Sequence, residues 1–200
     1  MDLVDFILSQ HAALHAIEVS GQAFGAQRVF SEPSDDQMRI RPAKGLNSLV
    51  WLLWHMARTE DVAVNLVVAV RDQVLDEAWM RRMNVPWRVI GTGMTDNEVT
   101  EMTARADVAT VRAYRAAVGI RTREVVQRLR ADAWAEIVGD EDIKRAAATG
   151  AFRDWVEGVK YPWHGWSRAD QLASSALRHN AAHLGEAVTI RGLAGFGLGI

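Results

Sequence analysis

Three histidines, His55, His179 and His183, fall on the apolar stripes of two helices suggested by the sequence pattern. His179 and His183 are four residues apart, which on a helix stacks both rings on one face, one turn apart. A buried imidazole needs a partner, because an unsatisfied polar group inside a core costs roughly 1–3 kcal/mol. A single such histidine is ordinarily held by a hydrogen bond. Three pointing inward, with no acids on the same stripes, suggest one shared partner, and a divalent metal is the simplest. Three histidine ligands leave coordination positions open for water or substrate, as catalytic sites do and closed structural sites do not.

Other residues are weaker candidates. His11 and His15 form a second four-residue pair, with His11 at the edge of its stripe and His15 rotated further out. Both read as edge or surface residues. His164 sits in a loop between Trp163 and Trp166 and reads as solvated. Glu60 and Glu186 lie near the ligand turns, where a carboxylate could accept a hydrogen bond from a ligating imidazole. Eight tryptophans are many for this length. Most read as packing, and Trp54, Trp163 and Trp166 are the candidates for a pocket wall. No nucleophile elbow, phosphate loop or dinucleotide fingerprint occurs.

Those side chains need helices to position them. Residues 2–28 read as a first helix, with Leu3, Ile7, Leu14, Ile17 and Phe24 at helical spacing. A long loop, 30–46, follows. Residues 47–73 form the second helix, with Leu52, His55, Thr59, Val62 and Leu66 in line. A short helix is expected over 75–83. Thr95 and Glu98 make a capping box that opens a third helix reaching about residue 130. Gly119 inside it marks a kink or a close approach. Residues 131–167 read as irregular with short helices. The last helix starts near Ser167, ends near Gly192, and carries Leu172, Ala176, His179, His183, Ala187 and Ile190 on one stripe. The glycine-rich tail from 192 is expected to fold back or be mobile. Four long helices without a strand predict an all-α bundle spanning 1–200 as one domain.

Composition narrows the function. The chain has 200 residues, 49% of them hydrophobic, and a net charge of −2. It has no electrostatic footprint for nucleic acid or an anionic membrane. It has no cysteine, which removes disulfides, zinc-thiolate sites and cysteine nucleophiles, and means that any thiol chemistry uses a thiol from outside. The acidic start lacks the build of a signal peptide, no run is long enough for a membrane span, and a cytoplasmic protein is expected.

The run NSLVWLLWHMARTED from Asn47 to Asp61 resembles the second-helix signature of the DinB-like metalloprotein superfamily. HNAAHLGE from His179 to Glu186, with IRG after it, resembles the final-helix signature. The resemblance implies a four-helix bundle, up-down-down-up, with short extra helices in its connections and commonly dimeric. It implies a divalent metal, zinc or nickel, on His55, His179 and His183. Relatives include S-transferases that use mycothiol or bacillithiol and a mycothiol-dependent isomerase. The isomerase pattern has a carboxylate where this chain has His179, and the all-histidine set is closer to the transferases. The expected function is therefore a metal-dependent transfer of a low-molecular-weight thiol to an electrophilic substrate. A metal-dependent hydrolase and a non-catalytic metal-binding stress-response protein are the alternatives.

Overall fold

The computed structural model describes residues 2–24, 27–153 and 163–200. Trp155, Gly158 and Pro162, part of the run read as irregular, lie outside the described residues.

The first long helix is shorter than its periodicity predicts. Helix α1, Leu3–Ala13, is capped by the Asp2 carboxylate, which accepts from the Asp5 N–H. The chain then turns through 14–16 and resumes as α2, Ile17–Ser20, which Gly21 ends in the left-handed conformation. Two short helices follow, α3 (Arg28–Ser31), which runs into the start of the 30–46 connection, and α4 (Asp35–Met38) within it, the second opened by a Ser34–Gln37 capping box.

Helix α5, Leu49–Asp61, is buried along its whole length and forms the centre of the molecule. Ser48 caps it. It continues as a π-helical segment, Val62–Val68. The terminal carbonyls of that segment are not orphaned: Arg145 donates to the Leu66 carbonyl and Arg168 to that of Val68. Asp61 fixes the exit by accepting from Asn65, from the backbone of Val74 and Leu75, and from the Tyr114 hydroxyl. Helix α6, Glu77–Met83, is the short helix expected there.

The capping box at Thr95 opens α7, Asp96–Arg105, as predicted. The predicted single third helix is broken, however. Ala106 is non-helical, and Asp107 caps a new helix, α8, Val108–Arg128, through the Thr110 N–H. A 3-10 turn, Ala133–Ala135, and helix α9, Asp140–Ala148, follow. Ser167 caps α10, Arg168–Leu172, which passes through a second π segment, Ala173–Arg178, into α11, His179–Ala194. The tail packs back: Arg191 donates to the Gly197 carbonyl. One isolated bridge, Ile137 to Ser167, is the sole β pairing among the described residues.

Hydrogen bonds give the helix directions. Ser48 meets Thr103, and further along both segments Asp61 meets Tyr114, so α5 runs parallel to α7 and α8. Asn47 meets Glu186 and Glu60 meets Asn180, so α11 runs antiparallel to α5. Arg123 reaches the Leu8 carbonyl while His15 packs on Gly119, so α1 is antiparallel to α8. The order is up-down-down-up, as the resemblance implied. The core under the site gathers Trp51, Trp54, Tyr114, Met102 and Ile190. Among the described residues no helix is long and apolar enough to cross a membrane.

Candidate metal centre

Helices α5 and α11 bring His55, His179 and His183 together, with one ligand-capable atom of each lying within 4.8 Å of the others. Ring centroids are 4.8 Å apart for His55 to either partner and 4.5 Å for His179 to His183. His55 Nε2 and His179 Nε2 are 3.1 Å apart.

Each flanking contact aims a lone pair inward. His55 Nδ1–H donates to the Ile90 carbonyl, which leaves Nε2 facing the cluster. The Trp51 ring stacks on His55 at 4.7 Å and 19°. Gly91 makes this approach possible. Its φ is +102°, and a Cβ there would lie 2.9 Å from His55 Nδ1 and 3.0 Å from the Trp54 ring. His183 Nδ1–H donates to Glu186 at 2.8 Å, and the other Glu186 oxygen accepts from the Asn47 amide at 2.9 Å. Such outer contacts fix ring orientation and tautomer.

The electrostatics favour neutral rings. Burial pushes His55 down to about 4, the Ile90 contact opposing and His183 assisting. Burial pushes His179 down to about 3, with His55 and His183 adding to the effect. The His183 contact holds the Glu186 carboxyl below its usual range. Near neutral pH, His55 and His179 are therefore unprotonated and able to donate lone pairs.

This donor set fits a metal ion. Zinc–nitrogen bonds of 2.0–2.1 Å in a tetrahedron put neighbouring nitrogens about 3.3 Å apart, close to the 3.1 Å between His55 and His179. Without an ion, His55 Nδ1–H is committed to the Ile90 carbonyl and His179 Nε2–H must donate to His55 Nε2.

A second cluster corrects two expectations. His11 and His15 are not at the surface: they are 1% and 2% exposed. The turn at 14–16 carries His15 inward over Gly119, where a Cβ would lie 2.5 Å from its ring, so Gly119 marks a close approach. Both rings stack at 4.0 Å and bond Glu60 at 2.9 and 3.2 Å. Glu60 also accepts from Arg115 at 2.6 Å and Asn180 at 2.7 Å. Glu60 therefore accepts no hydrogen bond from His55, His179 or His183, contrary to the expectation for it. It is a fully buried hub joining α1, α5, α8 and α11. Its carboxyl is held well below its usual range because His15, Arg115 and His11 outweigh the burial penalty.

His11, His15 and Glu60 could also hold an ion on distance alone. Charge argues against it, because Arg115 already balances Glu60 and a buried divalent ion would add uncompensated positive charge. His15 and Arg115 also wall a cavity of about 520 Å³ that none of His55, His179 and His183 lines.

The tryptophans divide differently from expectation. Trp54 is wholly buried in the core, and the ring stacked on His55 is that of Trp51. Trp163 packs edge-to-face on Phe152 at 5.6 Å, in the cluster around the first π segment, with Trp166 at its margin. His164 is not simply solvated, since its Nε2 lies 3.0 Å from the Asp140 carboxylate. The spacing of Trp51, four residues before His55, was the available signal for the stacking.

A profile of the DinB superfamily matches residues 26–187, and the chain belongs to that superfamily. The fold is similar to that of a conserved protein from Enterococcus faecalis known from its crystal structure. The TM-score is 0.68 at 16% identity, covering 96% of this chain and 97% of the other. No curated protein matches the sequence.

Proposed function

We propose that this chain is a divalent-metal-dependent enzyme that transfers a low-molecular-weight thiol to a small electrophile. The observation that carries the reading is the convergence of three imidazoles, two held neutral, at a spacing suited to one ion. When bound, zinc or nickel would supply Lewis acidity that favours the thiolate form of an incoming thiol.

The chain's residues supply the placement. His55, His179 and His183 present lone pairs to one point, the Ile90 carbonyl and Glu186 hold two rings in the required tautomer, and Trp51 shields one face of His55. Because the chain has no cysteine, the sulfur nucleophile comes from outside, with mycothiol and bacillithiol as the types to test. In the transfer the thiol gives its proton to solvent, the sulfur–carbon bond forms, and the bond from that carbon to the leaving group breaks, the leaving group departing with its electron pair. The reading includes a homodimer acting in the cytoplasm.

The carboxylates favour transfer over hydrolysis. A hydrolase would gain from a free general base near the ion. Glu186 is engaged by His183 and Asn47, and Glu60 is surrounded by four donors.

The test supplies the metal-loaded protein with an activated aryl halide and mycothiol, bacillithiol or free cysteine, and follows the adduct by mass spectrometry. Adduct formation that a chelator stops supports the reading. Ester cleavage without thiol would replace it with a hydrolase. Metal binding without turnover of any pair would replace it with a non-catalytic binding module.

A further inference from the structure

Along α5, His55 lies between two hydrogen bonds that reach α11 beside His179 and His183. On one side Asn47 donates to Glu186 at 2.9 Å. On the other Asn180 donates to Glu60 at 2.7 Å. The order is Asn47, His55, Glu60 along α5 and the residues just before it, and Glu186, His183, Asn180, His179 along the antiparallel α11. The first tie includes an acceptor of a ligating ring. The second involves Asn180, the residue next to His179 whose side chain also interacts with that ring, and Glu60, five residues from His55.

We infer that Asn180 and Glu60 are positioning residues of the metal centre, setting the separation and rotation of α11 against α5 and so the placement of His179 against His55. This rests on the reading of the three histidines as metal ligands.

Three observations support it. Asn180 is 1% exposed and Glu60 is wholly buried, so water does not readily replace their bond. Asn180 Nδ2 also donates to the Ala176 carbonyl at 2.9 Å, inside the π segment that immediately precedes His179. The amide therefore steadies the point where π geometry changes to α geometry, and that junction sets the direction of the His179 side chain. Finally, Glu60 is held from the other helices by His11, His15 and Arg115. It is thus a fixed anchor for Asn180, with little freedom to follow a displaced α11.

Packing in the rest of the core does not duplicate this function. Deleting apolar volume far from the tie should lower stability without changing ligand geometry. Outer contacts of metal sites typically change affinity about 10–100-fold when removed, and Asn180 acts chiefly through the placement of α11, so the lower end applies.

The experiment titrates Co²⁺ into wild type, Asn180→Ala and Val126→Ala, reading the dissociation constant, the visible d–d spectrum and the melting temperature. Val126 is buried in a different cluster, on α8, and controls for general destabilisation. Asn180→Ser is the fallback should Asn180→Ala not fold. The expected result is about tenfold weaker Co²⁺ binding and an altered spectrum in the Asn180 variant, with Val126→Ala binding as wild type does. Unchanged affinity and spectrum in a folded Asn180 variant would overturn the inference, as would weakening in Val126→Ala equal to that in the Asn180 variant. Failure of wild type to bind Co²⁺ would instead overturn the metal reading itself.

Discussion

His55 Nε2 and His179 Nε2 face each other at 3.1 Å across the seam between α5 and α11. Two nitrogens so close, in a part-buried seam and on rings that resist a second proton, require either a shared hydrogen or a shared cation. His183, whose ring centroid is 4.8 Å from that of His55, makes the cation the better account. The surrounding contacts are arranged around that point, and they give the expected outcomes below.

Gly91→Ala should damage the centre from outside. The added methyl group would meet His55 Nδ1 at 2.9 Å at a φ of +102°. Displacing the loop would break the Ile90 contact that fixes the His55 tautomer. A stability loss of about 1–3 kcal/mol is expected, together with weaker metal binding. Urea denaturation and a metal titration read the two effects separately. A variant as stable and as tightly binding as wild type would mean that the loop yields freely.

Glu60→Ala should be among the most destabilising single changes. It leaves the Arg115 guanidinium, 5% exposed, without its counter-charge, and strips partners from His11, His15 and Asn180. Breaking a buried ion pair in this way costs about 3–5 kcal/mol. Chemical denaturation checks it, and a loss under 1 kcal/mol would contradict the hub.

Acid should destabilise the metal-free protein from the histidine range downward. Burial, with Arg115 and His11 adding, pushes His15 down to about 3 from an ordinary 6.5. Between those values the unfolded chain binds a proton that the folded chain does not, so stability falls as pH falls. Each such group contributes a slope of up to about 1.4 kcal/mol per pH unit. Glu60, also depressed, acts in the same direction at lower pH, since its stabilisation is lost as pH falls from the usual carboxylate range through its folded value. His15→Gln, compared with wild type in chelator, should flatten the profile below pH 6.5 by about one proton. Parallel profiles would show that His15 titrates normally.

The histidine trio and the two signatures were legible in the sequence because periodicity and four-residue spacing are local properties. Thr95 and Ser167 were legible as helix starts for the same reason: a cap is a local hydrogen bond. The break at Ala106 was not, although Asp107 is a competent cap, because the apolar pattern from Val99 to Leu129 hides a local interruption. The inward turn of His15 needed both the break at residue 14 and the absence of a side chain at Gly119, more than a hundred residues away. Glu60 was expected to orient a ligand because it lies close to His55 in sequence. Its real partners, His11, His15, Arg115 and Asn180, come from three other helices and the turn after α1, and no pattern within one helix announces them. The π segments at 62–68 and 173–178 keep the apolar stripe while changing the helix winding, so periodicity does not reveal them.

The most direct measurement is the metal content of the purified protein by elemental analysis, beside His179→Ala and His183→Ala. The account predicts close to one transition-metal ion per chain in wild type, and loss of it in both variants with the fold retained by circular dichroism. Wild type that takes up no ion after reconstitution with zinc or nickel, or variants that keep a full complement, would contradict it.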